Sequence, residues 1–193
     1  MSYYKDQLIS WLGEKTFKSD RVLSVGCMNC DLDYFDSYEI GELVTLDNDK
    51  KYKPHILMDV NLLPKNQLSI LEQEKLFDKK FDDVLTFELW EYIWNPMQAL
   101  GTFRDLLKEG GRLWISAPFV YPTHNPTDSD YLRYTEYFWK KVLPEFGFEI
   151  EEYKRRVWRE PRPFVVSCAT DGMRPAKGYD HNITGHLIVA IKK

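Results

Sequence analysis

Residues 21–33 read RVLSVGCMNCDLD. Arg21-Val22-Leu23-Ser24-Val25 is a short apolar run with β-branched members, and it breaks off at Gly26. That is the pattern of a buried strand ending in a tight turn. A turn that lets backbone approach a nucleotide ordinarily spends further glycines here. This chain instead places Met28 in the turn, between Cys27 and Cys30. Three readings follow: a cofactor cradle with altered lining, a thiol pair for redox or metal chemistry, or ordinary core.

Working outward, the same strand-then-break pattern recurs. Residues 42–46 (ELVTL) end at Asp47, 55–58 (HILM) end at Asp59, and 81–87 (FDDVLTF) end beside Glu88. Residues 112–117 (RLWISA) run into Pro118, and 148–153 and 186–191 (HLIVAI) read as the last strands. Helices alternate with them. Leu8, Trp11 and Leu12 have helical spacing within 4–15. Asn95-Pro96-Met97-Gln98 supplies an N-cap, proline at the first position and glutamine at N3. Ala99, Leu100, Phe103, Leu106 and Leu107 give that helix its stripe, and Gly110-Gly111 is expected to stop it. Thr135 caps a further helix to about Phe146, which Pro144 must kink or shorten. The alternation predicts one α/β domain over 1–193, Rossmann-like and doubly wound, with a mostly parallel sheet and an antiparallel final strand. Ligands of such sheets sit beyond the carboxyl ends of the strands. Those ends are Gly26, Asp47, Asp59, Phe87-Glu88 and Pro118, and the acids among them point to a polar ligand.

The totals agree with one domain. The chain has 193 residues, 44% of them hydrophobic, enough for one sizeable core. A net charge of -4 gives no basic field to draw nucleic acid or acidic membranes. No apolar run approaches the roughly 18 residues of a membrane span. Residues 1–15 (MSYYKDQLISWLGEK) mix charges among the apolar positions, unlike a signal peptide. Three cysteines do not make a disulfide framework, so a reducing cytoplasmic setting is expected.

The ordered pieces VLSVGC, VTLD, ILMDVNLLP, FDDVLTFELWEYIWNP, LLKEGGRLWISAPFVYPTH and DYLRYT, followed by a helix and FGFEIEEY, span about 21–153. Together they resemble class I S-adenosylmethionine-dependent methyltransferases of the type-11-like kind. The resemblance implies S-adenosylmethionine as cofactor and methyl transfer to a small-molecule or saccharide-like acceptor, at oxygen. It assigns Gly26 and Cys27 to the turn over the cofactor, and Asp47 with Asn48 to the ribose. Asp59 and Val60 fall to adenine, and Phe87 and Glu88 to the methionine portion and methyl group. By position alone, Asp47 and Asp59 read equally well as turn or cap residues. On the acceptor side it implicates Tyr121, Arg133 and Tyr134, with His124 as the base that takes a hydroxyl proton. Loop histidine and loop-fixing arginine are the plainer readings of His124 and Arg133.

The chain also departs from the family pattern. Ser24 replaces an acid, Met28 and Cys30 replace glycines, and Trp90-Glu91-Tyr92 replaces L-E-H. A catalytically silent binding protein is therefore a second reading, and a thiol oxidoreductase using Cys27 and Cys30 a third. As small buryable residues, the two cysteines are equally at home filling glycine positions. A zinc site would need two more ligands, from Cys168 and scattered histidines, so no metal is expected. Residues 154–164 (KRRVWREPRPF) read as a charge-protected strand edge, and 165–185 as a long loop that sets substrate choice.

Overall fold

The computed structural model describes residues 3–26, 31–63, 78–123, 128–157 and 183–193. Seven strands form one sheet: β1 (Thr16–Val25), β2 (Ser37–Asp47), β3 (Ile56–Leu57), β4 (Phe81–Phe87), β5 (Leu107–Pro118), β6 (Phe148–Val157) and β7 (Ile183–Lys192). Their order is β3-β2-β1-β4-β5-β7-β6. All pairings are parallel except those of β7, which lies antiparallel between β5 and β6. The chain winds outward from β1 to β3 and then returns to β4 on the other flank of β1. The switch point of a doubly wound sheet thus falls between β1 and β4.

Three helices are described: α1 (Tyr3–Leu12), α2 (Pro96–Leu106) and α3 (Glu136–Glu145). None is long and apolar enough to cross a membrane. On one face of the sheet, Leu8, Trp11 and Leu12 of α1 meet Phe17, Phe35 and Trp114. Phe17 stacks on Phe35 at 4.6 Å, and Trp114 presents an edge to both. On the other face, Leu100, Phe103 and Leu106 of α2 pack with Trp90 and with Trp139 of α3, all fully buried. Each such side chain contributes roughly 1.5–3 kcal/mol of burial. Asn95 caps α2, its Oδ1 accepting from the amide of Gln98, and Thr135 caps α3 on the amide of Phe138.

Three local expectations change. β1 and β2 begin well before their apolar runs, at Thr16 and Ser37, and those early residues pair with each other. Polar Lys18 and Asp20 sit there on the open face of a two-stranded ladder, so the apolar signal is diluted while the backbone bonds persist. The crossover between these strands is confined to residues 26–36, and its described part holds only a 3-10 turn, Asp31–Tyr34.

Gly110-Gly111 does not stop α2. That helix ends at Leu106, Leu107 turns extended, and both glycines lie within β5. There the pairing with β4 jumps from Phe81↔Leu107 to Asp83↔Arg112. A Cβ on Gly111 would stand 3.0 Å from the carbonyls of Asp82 and Lys108, so close backbone approach accounts for the glycine. Pro144 occupies the last turn of α3, where it shortens the helix.

Candidate functional site

A cleft of about 290 Å³ opens beyond the carboxyl ends of β1, β2, β3 and β4, at the switch point. Gly26, Asp47, Asn48, Asp59, Val60 and Glu88 all line it. Residues distant in sequence are thus brought to one place by strand order. Cys27, Met28, Cys30, His124 and Cys168 lie outside the described residues.

Gly26 takes a left-handed φ of 75°, and a Cβ there would stand 3.1 Å from Leu89 Cδ1. Both facts favour glycine. Its N–H donates to the carbonyl of Leu46 at 2.9 Å, so that amide is spent inside the sheet. Asp47, 7% exposed at the end of β2, accepts the amide of Asp49 on Oδ1 at 2.7 Å. Asp59 accepts both the amide and the side-chain amide of Asn61, again on Oδ1 alone. It caps the short turn Val60–Leu62, so the structural reading of that acid holds for one of its two oxygens. Asn61 then donates to the carbonyl of Tyr92 and accepts the amide of Trp94, which ties the two walls of the cleft.

The cleft is acidic. Among the described residues, Asp47, Asp49, Asp59 and Glu88 line it against one lysine, Lys51, and that lysine pairs with Asp49 at 2.6 Å. The pair's hydrogen bond pushes Lys51 up to about 12 and holds the Asp49 carboxyl below its ordinary range. Tyr52, Tyr92 and Tyr131 add aromatic walls.

Glu88 has a left-handed backbone with φ 50° although it is not glycine, a strain worth about 1–3 kcal/mol. Its amide donates to the carbonyl of Ser116 at 3.1 Å, its Oε1 accepts from the Ser116 hydroxyl, and Arg156 Nη1 stands 2.7 Å from the same oxygen. Arg156 is a residue that sequence reasoning missed. It lies in the run read as a charge-protected edge, yet its side chain is fully buried and its Nη2 donates to Ser116 Oγ. A register shift of β6 at Arg156/Val157 marks the place, and nothing in the charge pattern signals it.

Other expected site residues fall elsewhere. Phe87 is 4% exposed and packs in the α1-side core; Glu88 alone of that pair lines the cleft. Tyr134 is core as well, its hydroxyl donating to the carbonyls of Trp90 and Ile93. Arg133 forks onto the fully buried Asp130 carboxylate and also donates to the carbonyls of Tyr121 and Pro122. The arginine therefore fastens the loop on which Tyr121 sits, and none of these three lines the cleft. Beside that loop sits Glu91, fully buried, whose own carbonyl accepts the amides of Tyr131 and Leu132. Desolvation first, then the Glu88 charge, pushes the Glu91 carboxyl up to about 8.

Gly26 fits a group that needs backbone at close quarters, and the second oxygen of Asp47 fits a ligand diol. The residues present therefore suit an adenosyl group. Among the described residues, no cluster of three or more histidines, cysteines, aspartates or glutamates could hold a metal ion.

No family model matches the chain, and no curated protein matches its sequence. Solved structures do match in fold. The Burkholderia thailandensis 1,6-didemethyltoxoflavin-N1-methyltransferase, solved with bound 1,6-didemethyltoxoflavin and S-adenosylhomocysteine, aligns with a TM-score of 0.59 at 16% identity, over 99% of this chain and 79% of that one. The N-methyltransferase NodS of Bradyrhizobium japonicum with S-adenosylhomocysteine aligns at 0.58 and 12%, over 99% and 88%. The [4+2]-cyclase SpnF aligns at 0.59 and 16%, over 97% and 80%. At such identities the likeness establishes the fold, and SpnF bears a name from a different chemistry.

Proposed function

We propose that this chain, which has the fold of class I S-adenosylmethionine-dependent methyltransferases, binds S-adenosylmethionine and transfers its methyl group to a small-molecule acceptor. The observation that carries the reading is the meeting of Gly26, Asp47, Asp59, Val60 and Glu88 in one cleft. In this reading Asp47 and Asn48 hold the ribose, the carboxylate accepting from the diol. Asp59 accepts from the exocyclic amine of adenine, and the backbone N–H of Val60 serves a ring nitrogen. The cofactor, when bound, supplies a methyl group on a sulfonium, and the protein's task is alignment of the acceptor with it.

The finer reading is a hydroxyl acceptor on a saccharide-like molecule, with His124 as its base. Exposed aromatic surface beside the cleft supports it: Tyr131 is 49% exposed on the lining, and Trp94, 56% exposed, is joined through its amide to Asn61. Two of the neighbours are N-methyltransferases by name, so the acceptor atom is tested directly. Calorimetric titration with S-adenosylhomocysteine should give binding, and turnover should yield methyl ethers from hydroxyl acceptors. Binding with no turnover on any acceptor favours the silent reading, which Ser24 in place of an acid motivates. Absence of binding by both S-adenosylmethionine and S-adenosylhomocysteine overturns the cofactor itself.

A further inference from the structure

The family pattern expects an acid within the first strand, and here Ser24 stands in its place, 5% exposed and flanked in the sheet by Thr45 and Leu85. β1 therefore brings no negative charge to the cleft wall formed by Val25 and Gly26. The next strand tip does. Glu88 lines the same cleft, and its side chain is 28% exposed. Its Oε1 is held by the Ser116 hydroxyl and by Arg156, both from behind the cleft lining. Arg156 reaches Glu88 across the sheet from β6, with its side chain fully out of water. A buried guanidinium is retained at a desolvation cost that only a well-placed carboxylate offsets. Among the described residues, the side-chain contacts that hold Glu88 fall on Oε1, while the residue itself lines the cleft.

Resting on the cofactor reading above, we propose that Glu88 is the counter-charge for the α-ammonium at the amino-acid end of the cofactor, and that Arg156 is the positioning residue that fixes this carboxylate. The acid missing from β1 is thus supplied from the tip of β4. Arg156 never touches the ligand; it restricts the rotamers of Glu88, together with Ser116 and the left-handed backbone at that position.

Two probes separate this role from a purely structural one: S-adenosylhomocysteine, which carries the amino-acid end, and 5′-methylthioadenosine, which lacks it. Calorimetry on the full chain should show Glu88→Gln weakening S-adenosylhomocysteine by about tenfold or more while leaving methylthioadenosine unchanged. Arg156→Gln should show the same split, and Arg156→Lys should recover part of it. Should either single variant misfold, Glu88→Gln/Arg156→Gln removes both charges of this pair and should show the split itself. Unchanged affinity for S-adenosylhomocysteine in the Glu88 variants, or an equal loss for both probes, overturns the proposal. Failure of the unaltered protein to bind either probe overturns the cofactor reading, and so is distinguishable from failure of the counter-charge alone.

Discussion

Asp47 commits Oδ1 to the amide of Asp49 and so fixes its own rotamer at the end of β2. Such a preset carboxylate gains more from a ligand diol than a mobile one, because its ordering cost is met within the fold. Asp47→Ala is expected to weaken S-adenosylhomocysteine binding by at least about 1.5 kcal/mol, as for a charge-assisted bond. An unchanged dissociation constant would remove the ribose assignment. This residue was legible in sequence, because a strand ended on an acid. Arg156 was not, since an arginine within KRRVWREPRPF carries no mark of burial. Its burial is set by the packing of β6 in the sheet, beside a register shift against β7, a tertiary event. Tyr134 misled in the other direction: its place in DYLRYT suggested substrate contact, while its ring meets Trp139 at 5.0 Å in the core.

Helix caps were read correctly because they depend on near neighbours in the chain. Thr135 accepts the amide of Phe138 on its side chain, as spacing implied. Thr135→Ala should lower unfolding free energy by about 1 kcal/mol in a urea titration. The end of α2 was misread for a related reason. Gly110-Gly111 looks like a helix stop, but its conformation answers to Asp82 on the adjacent strand. Gly111→Ala therefore forces backbone of β4 and β5 apart and should destabilise by more than an ordinary Gly→Ala change in a strand. A thermal midpoint at or above that of the unaltered protein would contradict that account.

A doubly wound, mostly parallel sheet with an antiparallel last strand was legible at the scale of the whole molecule; the strand order that gathers the cleft came with the structure. Two buried groups contribute opposite slopes to the response of stability to pH. His186 donates from Nε2 to the carbonyl of Tyr134, accepts the Tyr153 hydroxyl on Nδ1, and is pushed by burial down to about 4. Stability is lost as pH falls from about 6.5 toward 4, because only the unfolded chain takes up the proton. Glu91, raised to about 8, acts oppositely: stability is lost as pH rises from about 4.5 through 8, because only the unfolded chain releases the proton. Between about 4.5 and 6.5 the two slopes cancel, so thermal midpoints should form a plateau there and fall on both sides. Glu91→Gln should flatten the alkaline limb and turn the plateau into a rise toward about 6.5, where only the His186 slope remains. A limb unaffected by that change assigns it to other groups.

The position of β7 has a consequence for biosynthesis. Among the described strands, β6 pairs with β7 alone, and β7 is translated after it. While the ribosome is still making residues 158–182, β6 has no ladder to join, and the exposed flank of β5 has no cover. The parallel half of the molecule can gather as it emerges, whereas the arm bearing Arg156 must wait for its antiparallel neighbour to be threaded into place. A nascent chain stalled before Ile183 should therefore present two unsatisfied strand edges to chaperones and proteases, with the clamp on Glu88 not yet assembled.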